Sequence, residues 1–231
     1  MDMKSIEQRL QRMEDIHEIE QVMNKYERYL EVRLWDELVD LFALKTPDVR
    51  ADVGWGIYEG EEGIKRLFYG IHKAWGGDPK TGLNVGCFGT LFNVNPCIEI
   101  AGDGKTAKGI WGFLGAGSYR PGGQEGGQGY DKGKIDSHWN MGMRATDFIK
   151  ENGQWKIWHY TVHGFFCCPF YTCWADVEDP YKIMDHSWLP DEWKPDRPST
   201  DPVWLYTPTA TVRNIPKVPE PYDTFNEKDA Y

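Results

Sequence analysis

The chain predicts an α+β fold: a curved antiparallel sheet wrapped round N-terminal helices, with an apolar pocket between them and an extended C-terminal tail. Three observations lead there. An amphipathic helix runs into Tyr26-Glu27-Arg28-Tyr29-Leu30-Glu31 and on to Leu34-Trp35-Asp36-Glu37-Leu38. A Tyr58-Glu59-Gly60 turn leads into Ile64-Lys65-Arg66-Leu67-Phe68. A late Asn152-Gly153-Gln154-Trp155-Lys156-Ile157 hairpin closes a run of strands.

Each element has its own signal. Ile6, Leu10, Met13, Ile16, Ile19, Met23, Tyr26 and Leu30 step by three or four, which draws one stripe down a long first helix. After a break near Val32-Arg33, the group Trp35, Leu38, Leu41 and Phe42 predicts a short second helix closed by Pro47. Residues 49 to 58 alternate loosely and predict a strand, and a third helix carries Ile64, Leu67, Phe68 and Ile71. Strands are expected over 86–100, 106–114, 137–150 and 155–166, with tight turns at Gly102-Asp103-Gly104 and Asn152-Gly153 that supply residues tolerant of positive φ. The Gly-rich stretch from Gly115 to Gly133 is too polar and flexible for a core strand; a lid over the pocket or a surface insertion are its two readings.

One domain over residues 1–175 and an extension over 176–231 are expected. Nine of the fourteen prolines fall in that extension, among Trp188, Trp193, Trp204, Tyr206, Tyr222 and Phe225. Proline favours extended backbone, and the rings demand cover, so the extension should lie along its own domain or a neighbouring subunit. The net charge of -10 repels phosphate backbones and anionic lipid, so neither nucleic acid nor a membrane is an expected partner. No signal peptide or apolar span is apparent, and a cytoplasmic location is expected. Five cysteines without a secretory signal are expected to be reduced, and Cys167, Cys168 and Cys173 form too small a cluster for a metal site.

The chain resembles the SnoaL-like branch of the cone-shaped, cystatin-like α+β barrel superfamily that includes nuclear transport factor two, scytalone dehydratase and polyketide cyclases. The resemblance is carried by Lys25-Tyr26-Glu27-Arg28-Tyr29 with Leu34-Trp35-Asp36-Glu37-Leu38, by Tyr58-Glu59-Gly60-Glu61-Glu62-Gly63-Ile64, by Asn95-Pro96 before Ile98-Glu99-Ile100, by Gly104-Lys105-Thr106-Ala107-Lys108-Gly109, and by Asp147-Phe148-Ile149-Lys150-Glu151 leading into the late hairpin. It covers about residues 5 to 170. In the dehydratases it implies a Tyr on the first helix, a carboxylate soon after it, and histidines on the sheet. Tyr26 matches the first and Glu31 comes near the second, with Glu in place of Asp; Phe88 to Val94 contain no histidine where one is implied.

Within that frame, His159 and His163 stand at even spacing from Trp155 and Ile157, so all four should share a face, and the resemblance turns that face into the cone. An imidazole there exchanges protons near neutral pH, as cofactor-free elimination requires. On the neighbouring strand His138, Asn140 and Arg144 share one parity and Trp139, Met141 and Met143 the other, and parity leaves open which set faces the pocket. Arg144 would hold an oxyanion and His138 would serve as an acid if the polar set is inside. Tyr29 and Glu31 sit near the end of the first helix, and Trp55, Tyr58, Trp111 and Phe113 are candidates to line the pocket round an aromatic or polycyclic substrate.

The resulting expectation is a cofactor-independent lyase, a dehydratase or a retro-aldol-type carbon–carbon lyase, acting on a hydrophobic small molecule. His159 or His163 removes the proton, Glu31 orients or replaces that base, and Tyr26 with Arg144 stabilises the developing negative charge. No phosphate loop or dinucleotide fingerprint is present, so no cofactor is expected. A binding protein without chemistry, or a structural small subunit of a ring-hydroxylating dioxygenase, are the alternatives. The open sheet face and the aromatic tail further predict a homo-oligomer, a dimer or trimer.

Overall fold

The N-terminal stripe folds as α1 (Met3–Val32), yet only its second half is covered. Ile19, Met23 and Tyr26 are buried, whereas Ile6, Leu10 and Met13 are exposed. A computed structural model of the chain describes residues 3–72, 87–119, 136–176, 189–199, 205–209, 211 and 213–231. α1 stops at Arg33, whose φ of 63° is left-handed and whose guanidinium donates to the Leu30 carbonyl at 2.6 Å. That bond satisfies one of the orphan acceptors a helix end leaves behind. α2 (Trp35–Val39) follows and buries Trp35 and Leu38.

The single strand expected over 49–58 is instead a short hairpin, β1 (Arg50–Asp52) against β2 (Ile57–Glu59). Gly54 turns the chain at φ 89°, and its N–H donates to Asp52 Oδ1 at 3.1 Å, an Asx-type turn that periodicity does not reveal. α3 (Gly60–Lys65) continues as π-helical turns over Arg66–His72, and the pair buries Ile64, Leu67 and Phe68.

Four long strands make the rest: β3 (Phe88–Ile100), β4 (Thr106–Tyr119), β5 (Asp136–Glu151) and β6 (Gln154–Pro169). Asn152 and Gly153, at φ 54° and 80°, form the β5–β6 turn, whose paired left-handed residues match the strand twist. Gly115 to Tyr119 continue β4, so the first five residues of the stretch read as lid or insertion are ladder; residues 120–135 lie outside the described residues. The six-stranded sheet runs β2-β1-β6-β5-β4-β3. It is mixed and open, not wholly antiparallel, because β1 pairs with β6 in parallel.

Two bulges in β6 set the orientation of everything beyond Ile157. Phe148 opposes Ile157 while Asp147 opposes His159, which leaves Trp158 as an extra residue; Phe165 is skipped in the same way between Gly164 and Phe166. The first bulge falls where β6 changes partner. Ile157 bonds Leu41 and Ala43 on the α2 side, and His159 pairs with Arg50 of β1. Trp158 swings outward and donates its indole N–H to the Pro47 carbonyl at 2.8 Å.

α1 crosses the concave face and is pinned there by Asp15, which accepts from Trp155 Nε1 at 2.9 Å and meets Lys150 Nζ at 2.8 Å. Phe42, Phe68, Phe148 and Tyr160 fill the space between helix and sheet. On the convex face the last residues of the tail cover a buried charge cluster. Asp147, fully buried, accepts from Lys108 Nζ at 2.7 Å, lies 2.8 Å from His159 Nδ1, and accepts from the Tyr231 N–H at 2.9 Å. Phe225 lies over Trp158 and His159, with ring centroids 4.6 and 5.7 Å away. Elsewhere on that face Phe92, Leu114, Trp139 and Met141 are exposed. Among the described residues no helix is long and apolar enough to cross a membrane, and none of the five cysteines forms a disulfide.

Because Asp147 balances a buried lysine and anchors the tail, Asp147→Asn is expected to destabilise the fold by about 3 kcal/mol at pH 7. Denaturant unfolding with an unchanged midpoint would contradict that.

Candidate active site

The inner faces of α1, β4, β5 and β6 line a partly open cavity of about 200 Å³. Its deep end is polar inside an apolar shell. Arg144, 2 % exposed, projects inward from β5 and meets Glu27 of α1 at 2.5 Å. The same guanidinium donates to Asn93 Oδ1 at 2.5 Å and to the Tyr160 hydroxyl at 2.7 Å. It also lies 4.6 Å from the Phe113 ring centroid and 5.8 Å from that of Tyr26, on faces that favour a cation.

Burial dominates the electrostatics of this group. It raises the Glu27 carboxyl to about 7, with Arg144 opposing the shift and Glu31 adding slightly to it. The sign matters for stability. The folded chain holds this proton more tightly than the unfolded one, so the protonated form favours folding, and that contribution is lost as pH climbs from about 4.5 through about 7. Burial likewise pushes the Tyr26 and Tyr160 hydroxyls up, which keeps both as neutral donors. Burial alone would lower Arg144, but Glu27 and the two tyrosines overcome it and hold the guanidinium charged.

The polar parity of β5 therefore faces inward, with His138 and Asn140 on the cavity wall nearer the mouth. Gly117 gives His138 its place: a Cβ there would stand 2.7 Å from the imidazole Cε1. Glu31 lies on the rim and accepts from Arg28 at 2.8 Å. Trp55 and Phe113 line the wall. Tyr58, Trp111 and Tyr29 do not. Tyr58 is buried behind Trp55, Trp111 packs edge-on to Phe148 at 5.8 Å, and Tyr29 packs against the core from α1.

His159 and His163 are turned away from the cavity, against the expectation from even spacing. The extra residue at Trp158 inverts the parity of β6, so Tyr160, Val162 and Gly164 face inward. His159 is buried in the convex cluster with Asp147, and His163 stands opposite Met143 on that outer face. Sequence reasoning missed Glu27, Tyr160 and Asn93. Glu27 had a legible signal, since it lies one helical turn before Glu31 and beside Tyr26. Tyr160 required knowledge of the bulge.

The arrangement holds one carboxylate poised to take a proton near neutral pH, one fixed cation beside it, two neutral hydroxyls and an imidazole nearer the mouth. Comparisons with known proteins agree with the fold. Residues 11–161 match the model of the SnoaL-like domain. A hexachlorocyclohexane dehydrochlorinase, LinA type 3 from Novosphingobium barchaimii LL02, superposes with TM-score 0.53 at 16 % identity, covering 71 % of this chain and 95 % of its own. A candidate scytalone dehydratase from Novosphingobium aromaticivorans DSM 12444 gives TM-score 0.53 at 16 % identity, over 71 % of this chain and 92 % of its own. No curated protein matches the sequence. At these identities the structural likeness establishes the fold, and the domain match supplies the kinship: the chain belongs to the SnoaL-like domain family.

Proposed function

We propose that the protein is a cofactor-independent lyase for a hydrophobic, aromatic-sized small molecule, with Glu27 as its general base. The observation that carries this is a buried carboxylate held at about 7 beside Arg144 on the wall of a partly open, largely apolar cavity. A base titrating near the working pH combines an available ionised form with real proton affinity. In an elimination, Glu27 takes a proton from the carbon next to the one bearing the leaving group. The C–H pair becomes the new double bond, and the leaving group departs with its own bonding pair and a proton from His138. Arg144 and Tyr160 stabilise negative charge that gathers on the substrate before the bond breaks. The two structural neighbours, a dehydrochlorinase and a candidate dehydratase by name, favour elimination over carbon–carbon cleavage.

The test begins with a panel of hydrophobic aromatic and alicyclic compounds carrying a hydroxyl or halide next to an acidic C–H, assayed by mass spectrometry for loss of water or hydrogen halide. For a compound that turns over, Glu27→Gln should lower kcat/KM about 10³-fold with the fold intact. A drop of less than tenfold would remove Glu27 from the mechanism. kcat/KM should fall on the acid side of about pH 7 with a slope of one, since the ionised base is the active form and Glu27 is raised to about 7. A flat profile between pH 5 and 8 would contradict the assignment. His163→Ala, on the outer face, should leave kcat/KM within about threefold of the parent; a severe loss would return the histidine to the reaction.

A further inference from the structure

The matched domain ends at Thr161, but the cavity wall does not. Gly164 and Phe166 of β6 belong to it, and so does Leu205 of the C-terminal extension. Leu205 is 1 % exposed, and its Cδ2 lies 3.3 Å from where a Cβ on Gly164 would stand. The next residue, Tyr206, donates its backbone N–H to the Phe165 carbonyl at 2.6 Å. Phe165 is the bulged residue of β6, so its carbonyl is not spent on the β5 ladder and is offered to the tail. A second link runs from the extension to another wall residue. Trp55 Nε1 donates to the Tyr58 hydroxyl at 3.3 Å, and that hydroxyl donates to the Trp193 carbonyl at 3.1 Å.

We propose that the C-terminal extension is part of the ligand site: Leu205 sets the length of hydrophobic molecule the cavity accepts, and Trp193 positions Trp55 through Tyr58. The inference rests on the cavity being the binding site for a hydrophobic aromatic molecule, and not on the role given to Glu27. Register supplies the scale. Val162 opposes Arg144, and Gly164 opposes Gly142 one inward-facing step further along β6, about 7 Å of backbone rise beyond Val162. A phenol with its hydroxyl at the Glu27–Arg144 pair would direct a para substituent toward Leu205.

Isothermal titration calorimetry of the full chain with phenol, 4-ethylphenol, 4-butylphenol and 4-hexylphenol tests this. Affinity should rise with substituent length and then fall where the chain meets Leu205. Leu205→Ala should move that limit outward, tightening the first excluded phenol about tenfold, the worth of about two newly buried methylenes. Leu205→Phe should move it inward, and so should Gly164→Ala, whose added methyl crowds the leucine. Tyr58→Phe should weaken every member by about fivefold and leave the limit where it was, which a merely loosened fold would not do. A limit that stays put in the Leu205 variants and in Gly164→Ala, with parental melting temperatures, overturns the inference, and so does a parent protein that binds no phenol. A shifted limit in a protein whose turnover ignores Glu27→Gln leaves the inference standing and removes only the chemistry.

Discussion

The extra residue at Trp158 decides which side chains the cone contains. Before it, β6 sends Trp155 and Ile157 into the core; after it, Tyr160, Val162 and Gly164 point inward and the histidines point out. A strand has a period of two, so a single insertion exchanges the two faces for all that follows. It falls where β6 leaves the α2 segment and takes up β1, and the Pro47 carbonyl holds the displaced indole. Without that inversion, Arg144 would lose its partner Tyr160, and the buried Asp147 would lose His159.

The inverted strand lets the fold keep two charge clusters apart, one on each side of the sheet. On the convex side Asp147, Lys108 and His159 are sealed beneath Phe225 and serve the docking of the tail. On the concave side Glu27 and Arg144 face the cavity. The pair is an expensive element of structure: burial raises the carboxyl toward neutrality even beside a guanidinium. A pair kept for stability alone would be replaceable by apolar side chains of similar volume, whereas one that faces a cavity stays available to a ligand.

Much of the architecture was legible in the chain. The helix carrying the α1 stripe, the existence and order of β3 to β6 and the Asn152-Gly153 turn each rest on local chemistry that survives folding, whereas the end of β4 reads five residues short because its glycines suggest loop. The β1–β2 hairpin escaped because Gly54 and the Asp52 side chain turn the backbone inside a loosely alternating run. The site was half legible. Tyr26, Arg144, Trp55 and Phe113 could be nominated as large or charged residues on elements that had to face something. His159 and His163 misled because even spacing assumes an unbroken ladder, and no local feature of Trp158-His159 announces the bulge. Leu205 could not have been found, since its place on the wall depends on the bond that its neighbour Tyr206 donates to the Phe165 carbonyl across a long separation in sequence.

Two positions in the long strands have little room to vary. A side-chain carbon on Gly115 would stand 2.0 Å from the Thr90 carbonyl oxygen, and one on Gly142 would stand 2.4 Å from that of His163. Both obstacles are backbone, so neither position can gain a methyl without moving a neighbouring strand. Change in the cavity's shape is thus left to the side chains that line it, Leu205 among them, while the backbone of these strands stays fixed.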